Sequence, residues 1–167
     1  MAAKVKPKGS ATNKRISQAS RIIKAPRQAV YRAFIDPELL ARWLAPDTMQ
    51  AYVHELHPRE GGKIRMTLRY VDSDHENTGK TSAQEDSFHG TFSELIPNER
   101  IVEIIEFESQ DPQFAGSMTM TVTLSDKEDG TEVHLFFQDL PEGIKTEDND
   151  KGSEQSLRKL ASLLERI

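Results

Sequence analysis

The sequence predicts an α+β fold: a curved antiparallel sheet of about six or seven strands wrapped around a long C-terminal helix, with two short helices after the first strand. Three observations predict it. Segments such as Lys63–Tyr70 and residues 117–124 alternate apolar and polar residues with a period of two, the mark of antiparallel strands that bury one face. Only one segment, near the C-terminus, reads as an amphipathic helix long enough to cover that face. Between the first strand and the rest stand two short apolar clusters punctuated by Pro26, Pro37 and Pro46, the signature of a bent helical pair.

Taken in order, residues 18–24 form the first strand, with Ile22 and Ile23 ahead of a break at Ala25-Pro26. Pro26 suits the first turn of a helix, where a missing N–H costs nothing, and Ala29, Val30, Ala33 and Phe34 follow at helical spacing. Asp36 is the N-cap and Pro37 the first residue of a second helix carrying Leu39, Leu40, Trp43 and Leu44. Met49–Leu56 is a strand, residues 57–62 a turn, and Lys63–Tyr70 a strand with Ile64, Met66, Leu68 and Tyr70 on one face. Residues 71–86 are a polar loop. Residues 88–96 and Arg100–Phe107 are strands joined by the turn Pro97-Asn98-Glu99. Residues 117–124 present Met118, Met120, Val122 and Leu124 on one face, and Asp129-Gly130 turns the chain into residues 131–137, with Val133, Leu135 and Phe137 inward. The last helix opens with Thr146 as N-cap and acidic residues in its first turn; Leu157, Leu160, Ala161, Leu164 and Ile167 form its apolar stripe, with Gly152 and Ser156 on the same side.

The 167 residues suit one domain, with residues 16–167 as its body. Cysteine is absent, which excludes disulfides, zinc–thiolate sites, iron–sulfur clusters and thiol nucleophiles. Residues 1–15 hold Lys4, Lys6, Lys8, Lys14 and Arg15 without an acid and read as a disordered basic tail. Removing that +5 from the chain's net charge of −5 leaves −10 on the body, which repels phosphate backbones and argues against a nucleic-acid partner. The N-terminal residues contain no apolar core of a signal peptide, and no stretch approaches the ~18 apolar residues of a membrane span, so a cytoplasmic location is expected.

A strongly bent sheet is wider than the helix it grips, so a cavity should lie between them. The candidate cavity-lining, ligand-binding residues are Trp43, Tyr52, His54, Ile64, Met66, Leu68, Met118, Met120, Phe137, Ser156, Leu157 and Leu160. Trp43 fits core packing or an aromatic wall; thioethers adapt to variable apolar ligands. The second strand leaves its direction open, since Tyr52, His54 and Leu56 share one face and Met49, Ala51 and Val53 the other. Asp72, Asp74, His75 and Glu76 crowd one loop but lack the rigid spacing of a metal site, and Gly61-Gly62 lacks the Lys-Ser/Thr ending of a phosphate loop. No metal, no cofactor and no catalytic residue is assigned. Gly152 within a helix costs about 1 kcal/mol against alanine and suggests a close approach of its backbone to a strand or a ligand, although helix-to-sheet packing alone would suffice.

Several stretches carry a resemblance: Ala25-Pro26 with Val30, Ala33 and Phe34; Leu40-Ala41-Arg42-Trp43-Leu44; Pro58-Arg59-Glu60-Gly61-Gly62; His89-Gly90-Thr91-Phe92; Pro97-Asn98-Glu99-Arg100-Ile101-Val102; Phe114-Ala115-Gly116; Gly130-Thr131-Glu132-Val133; and Gly152 with Ser156-Leu157. Together they resemble the SRPBCC (START-like) helix-grip superfamily, and within it the bacterial branch related to the activator of heat shock protein 90 ATPase. The chain departs from that pattern at His57, where an acid is usual, and at Ser153, where an aromatic residue often follows the early glycine. The resemblance implies a binder of lipids or of flavonoid-like or polyketide-like aromatics, with a small apolar molecule as partner. It offers two alternatives: a chaperone-interacting protein, and a cyclase- or aromatase-type enzyme, for which the sequence supplies at most Tyr52, His54 and Ser156.

Overall fold

The structure, a computed structural model, describes residues 15–71, 80, 81 and 84–165. Strand β1 (Ile16–Ile23) leads into helices α1 (Arg27–Ile35) and α2 (Pro37–Trp43). Strands β2 (Met49–Leu56), β3 (Lys63–Tyr70), β4 (Glu85–Ile96) and β5 (Arg100–Phe107) follow, then a short 3-10 turn (Pro112–Phe114) that the sequence did not suggest. Strands β6 (Ser117–Lys127) and β7 (Gly130–Gln138) precede the closing helix α3 (Thr146–Leu164). Among the described residues the seven strands form one antiparallel sheet in the order β1-β7-β6-β5-β4-β3-β2, curled into a half-barrel. This is the predicted α+β helix-grip architecture.

Local chemistry explains the punctuation. Asp36 Oδ1 accepts hydrogen bonds from the amides of Glu38 at 2.9 Å and Leu39 at 3.3 Å, and Pro37 occupies the first helical position, as predicted. Pro26 differs from expectation by one residue: it is the extended N-cap of α1 rather than part of its first turn. The cap of α3 is Lys145 rather than Thr146, and Glu147 and Asp148 place charge on its positive end. The β6–β7 turn is centred on Glu128-Asp129, since Lys127 pairs with Gly130. Gly61, at φ +81, gives the β2–β3 turn a left-handed residue, and the Gly61 amide donates to the Phe92 carbonyl at 2.7 Å, stitching the turn onto β4.

One irregularity changes which side chains face inward. The register of β2 on β3 shifts between Val53 and Glu55, so His54 is the extra residue of a bulge. Met49, Ala51 and Val53 face the core; past the bulge, Leu56 pairs with Ile64 and packs inward as well. The strict alternation that grouped Leu56 with Tyr52 and His54 is broken at that point.

Helix α3 lies along the edge strand β1 and the two short helices. Its Leu157, Leu160 and Ala161 are buried with Trp43, Val30, Ile23 and Val133 in the core. The Asp150 carboxylate accepts from the Ser17 hydroxyl at 2.5 Å and the Gln18 amide at 2.9 Å, and Glu165 accepts from the Lys24 amide at 2.8 Å. The helix thereby occupies edge amides that an exposed strand would offer to another chain. Of the basic tail expected over residues 1–15, only Arg15 lies within the described residues; its guanidinium donates to the Pro141 carbonyl at 2.7 Å and to that of Ile144, holding the loop before α3. Ile167 and the acidic loop residues Asp72, Asp74, His75 and Glu76 lie outside them. Among the described residues no helix is long and apolar enough to cross a membrane.

At Gly152, among the described residues, no strand comes close. A Cβ built there meets only Pro46 Cγ at 3.5 Å, ordinary van der Waals contact, so no neighbouring protein backbone demands glycine. Gly152→Ala is expected to stabilise the protein by up to about 1 kcal/mol, read as a higher urea midpoint. A loss of stability would mean that the neighbouring Pro46 cannot yield.

Candidate functional site

The concave side of the half-barrel holds a cavity of about 620 Å³. Strand β3 supplies Ile64, Met66 and Leu68, strand β6 Met118 and Met120, and strand β7 Leu135 and Phe137; Phe34, Leu40 and Trp43 wall it from the short helices. Helix α3 turns toward it the stripe Asn149, Gly152, Ser153 and Ser156, at i, i+3, i+4 and i+7. Ser153 is buried and borders the cavity, and its small side chain leaves space there.

Of the residues singled out in the sequence, Trp43, Ile64, Met66, Leu68, Met118, Met120, Phe137 and Ser156 border the cavity. Four do not. Leu157 and Leu160 are fully buried in the core, because the apolar stripe of α3 faces the short helices and β1 while its small polar stripe faces the cavity. Tyr52 is exposed on the convex face, with its hydroxyl donating to Gln50 at 3.1 Å and the Arg69 guanidinium 5.9 Å from its ring centre. His54 also lies outside, its Nε2 2.8 Å from the Thr67 hydroxyl. Ser156 points inward, but its hydroxyl already donates to the Leu44 carbonyl at 2.5 Å. The polar groups that an enzyme reading needed, Tyr52, His54 and Ser156, therefore do not converge.

Trp43 is both wall and brace. Its side chain is wholly buried, and its indole N–H donates to the Ala33 carbonyl at 3.0 Å. That carbonyl belongs to the last turn of α1, whose acceptors lack helical partners, so the indole caps α1 from within α2. The Phe34 ring meets it edge-on, with centroids 4.8 Å apart.

Two carboxyls on the cavity wall were missed in the sequence. Asp86 is buried and fully engaged: the Lys80 ammonium donates to it at 2.8 Å and the Lys80 amide at 2.5 Å, while the same ammonium lies 5.8 Å from the Phe107 ring centre. Glu103 is 5% exposed and, among the described residues, its carboxyl has no hydrogen-bond or ionic partner. Burial alone pushes it up to about 7. Its cross-strand neighbours are Phe92 and Met120, and Ile101 and Ile105 flank it along β5 on the same face. The signal was in the sequence, because residue 103 shares the inward phase of Ile101, Ile105 and Phe107. Glu108, just past the end of β5, shows the opposite behaviour: a two-pronged bond from Arg65, at 2.8 and 2.9 Å, with His89 adding to it, holds its carboxyl down near about 2.

Residues 24–165 match the family described as activator of Hsp90 ATPase homolog 1-like proteins. A crystal structure of a Chromobacterium violaceum protein is 32% identical, with a TM-score of 0.82 over 92% of this chain and 99% of that one. A Rhodobacter sphaeroides protein at 18% identity (TM-score 0.73, covering 91% and 93% of the two chains) and a Mycobacterium smegmatis protein at 14% (TM-score 0.70, 90% of each) share the fold. No curated protein matches the chain significantly. With the fold and a match over most of its length in agreement, the chain belongs to the family of activator of Hsp90 ATPase homolog 1-like proteins.

Proposed function

We propose that this protein binds a small, predominantly apolar molecule, of lipid, flavonoid-like or polyketide-like character, between the sheet and the C-terminal helix. The observation that carries this reading is the cavity of about 620 Å³, within the range of small-molecule sites, walled by four methionines, aromatic rings and the small side chains of Ser153 and Ser156. A thermal-shift screen against fatty acids, sterols and flavonoids is expected to raise Tm with one of these classes; ligand at a hundredfold excess over Kd stabilises a fold by about 2.7 kcal/mol. Met120→Trp, which fills the space, is expected to stay folded and to lose the shift. A screen in which no class moves Tm overturns the reading. Interaction with an Hsp90-type chaperone is supported by the family description alone, and an unchanged chaperone ATPase rate would end it.

A further inference from the structure

A carboxyl group in an apolar wall with nothing to bond to is costly. Stranding a polar group in such surroundings forfeits its hydration without return, and nearly all buried polar atoms in proteins have a partner. Glu103 breaks that rule in mid-strand, where an apolar residue would continue the phase of Ile101 and Ile105. The other buried carboxyl of the cavity, Asp86, obeys the rule through Lys80. A local rule broken without internal compensation, on the wall of a cavity, marks a group kept for something that enters the cavity.

We infer that Glu103 is the polar anchor of the site, selecting an apolar ligand that carries a hydroxyl able to donate a hydrogen bond to its carboxyl group. This rests on the ligand-binding reading above and specifies the ligand's polar end. A hydroxyl suits both protonation states: it donates to the carboxylate, and equally to the carbonyl oxygen of the acid. An ammonium would have to shed its water to meet one carboxylate among Phe92, Met120 and Ile105, and the desolvation of a buried pair offsets most of its attraction. A carboxylate ligand is repelled by the ionised form of Glu103 and can bond only to the protonated acid, so unlike a hydroxyl it does not suit both states.

Three pyrene probes of similar bulk test this by fluorescence titration: hydroxypyrene, methylpyrene and the ammonium form of aminomethylpyrene. The native protein is expected to bind hydroxypyrene roughly tenfold or more tightly than methylpyrene, the gain of one hydrogen bond to a buried acceptor. Glu103→Met, of similar length and apolar, is expected to erase the preference while keeping methylpyrene affinity; Glu103→Gln, which retains a carbonyl acceptor, keeps most of it. Equal binding of hydroxypyrene and methylpyrene by the native protein would show that Glu103 holds at most an ordered water, which overturns the inference and leaves the cavity reading standing. Tightest binding by the ammonium probe overturns it in favour of a cationic ligand. Failure of all three to bind removes the cavity reading and the anchor together.

Discussion

Trp43→Ala is expected to destabilise the protein by about 4–5 kcal/mol, a large share of the 5–15 kcal/mol typical of a domain. Two losses combine. The fully buried indole leaves a void beside Phe34, and large aromatic truncations in cores cost about 3–5 kcal/mol. The Ala33 carbonyl then loses its donor at the end of α1, adding roughly 1 kcal/mol or more. Trp43→Phe separates the two, because it keeps a ring against Phe34 and removes only the donor; its expected cost is about 1–2 kcal/mol. Urea unfolding followed by far-ultraviolet circular dichroism measures both. A cost below about 1 kcal/mol for Trp43→Ala would contradict the bracing role.

The second large effect is a pH-dependent one at Glu103. The folded protein holds the proton of this carboxyl up to about pH 7, whereas the unfolded chain releases it near the ordinary value of 4.5. Below the lower value both states carry the proton and the group contributes nothing to the pH slope. Between the two values the folded state binds the extra proton, so stability falls as pH rises, by about 3 kcal/mol across the window; above it the loss levels off. Glu103→Gln has no such window. Its stability relative to the parent is therefore expected to improve by about 3 kcal/mol between about pH 4.5 and about pH 8. Taking the difference between the two proteins cancels the other titrating groups of the cavity, Tyr70, Lys80, Asp86, Lys145, Asp148 and Lys151. A difference that stays constant across that range would show that Glu103 is hydrated or paired in solution.

Much of the fold was legible because period-two alternation and proline punctuation are local signals. The strands Met49–Leu56, Lys63–Tyr70 and Arg100–Phe107 have the bounds expected from the sequence, and Asp36-Pro37 starts α2 as their chemistry requires. The wall of the cavity was legible where the alternation is clean, at Ile64, Met66, Leu68, Met118, Met120 and Phe137. It failed at Tyr52 and His54 because either face of β2 could have been the inner one, and the bulge at His54 lets Leu56 turn inward with Met49 and Ala51. It failed at Leu157 and Leu160 because an amphipathic helix announces its apolar stripe, whereas the stripe beside this cavity is the small polar one of Gly152, Ser153 and Ser156. Glu103 was overlooked for a related reason: a charge in mid-strand reads as a solvent-facing residue until its phase is counted.

The pairing of β1 with β7 also sets the order in which the molecule can assemble. From β2 to β7 each strand pairs with the next along the chain, a meander that can close hairpin by hairpin as it is synthesised. Strand β1 is the exception: Ile16 pairs with Gln138, and α3 fastens to β1 later still. The first strand made must wait for almost the whole chain, and its docking carries the loop-closure entropy of more than a hundred intervening residues. The helix that walls the pocket is also the last element along the chain. A molecule held between that helix and the floor of methionines and Glu103 is expected to slow the detachment of the terminal elements, read as a lower unfolding rate when such a molecule is present.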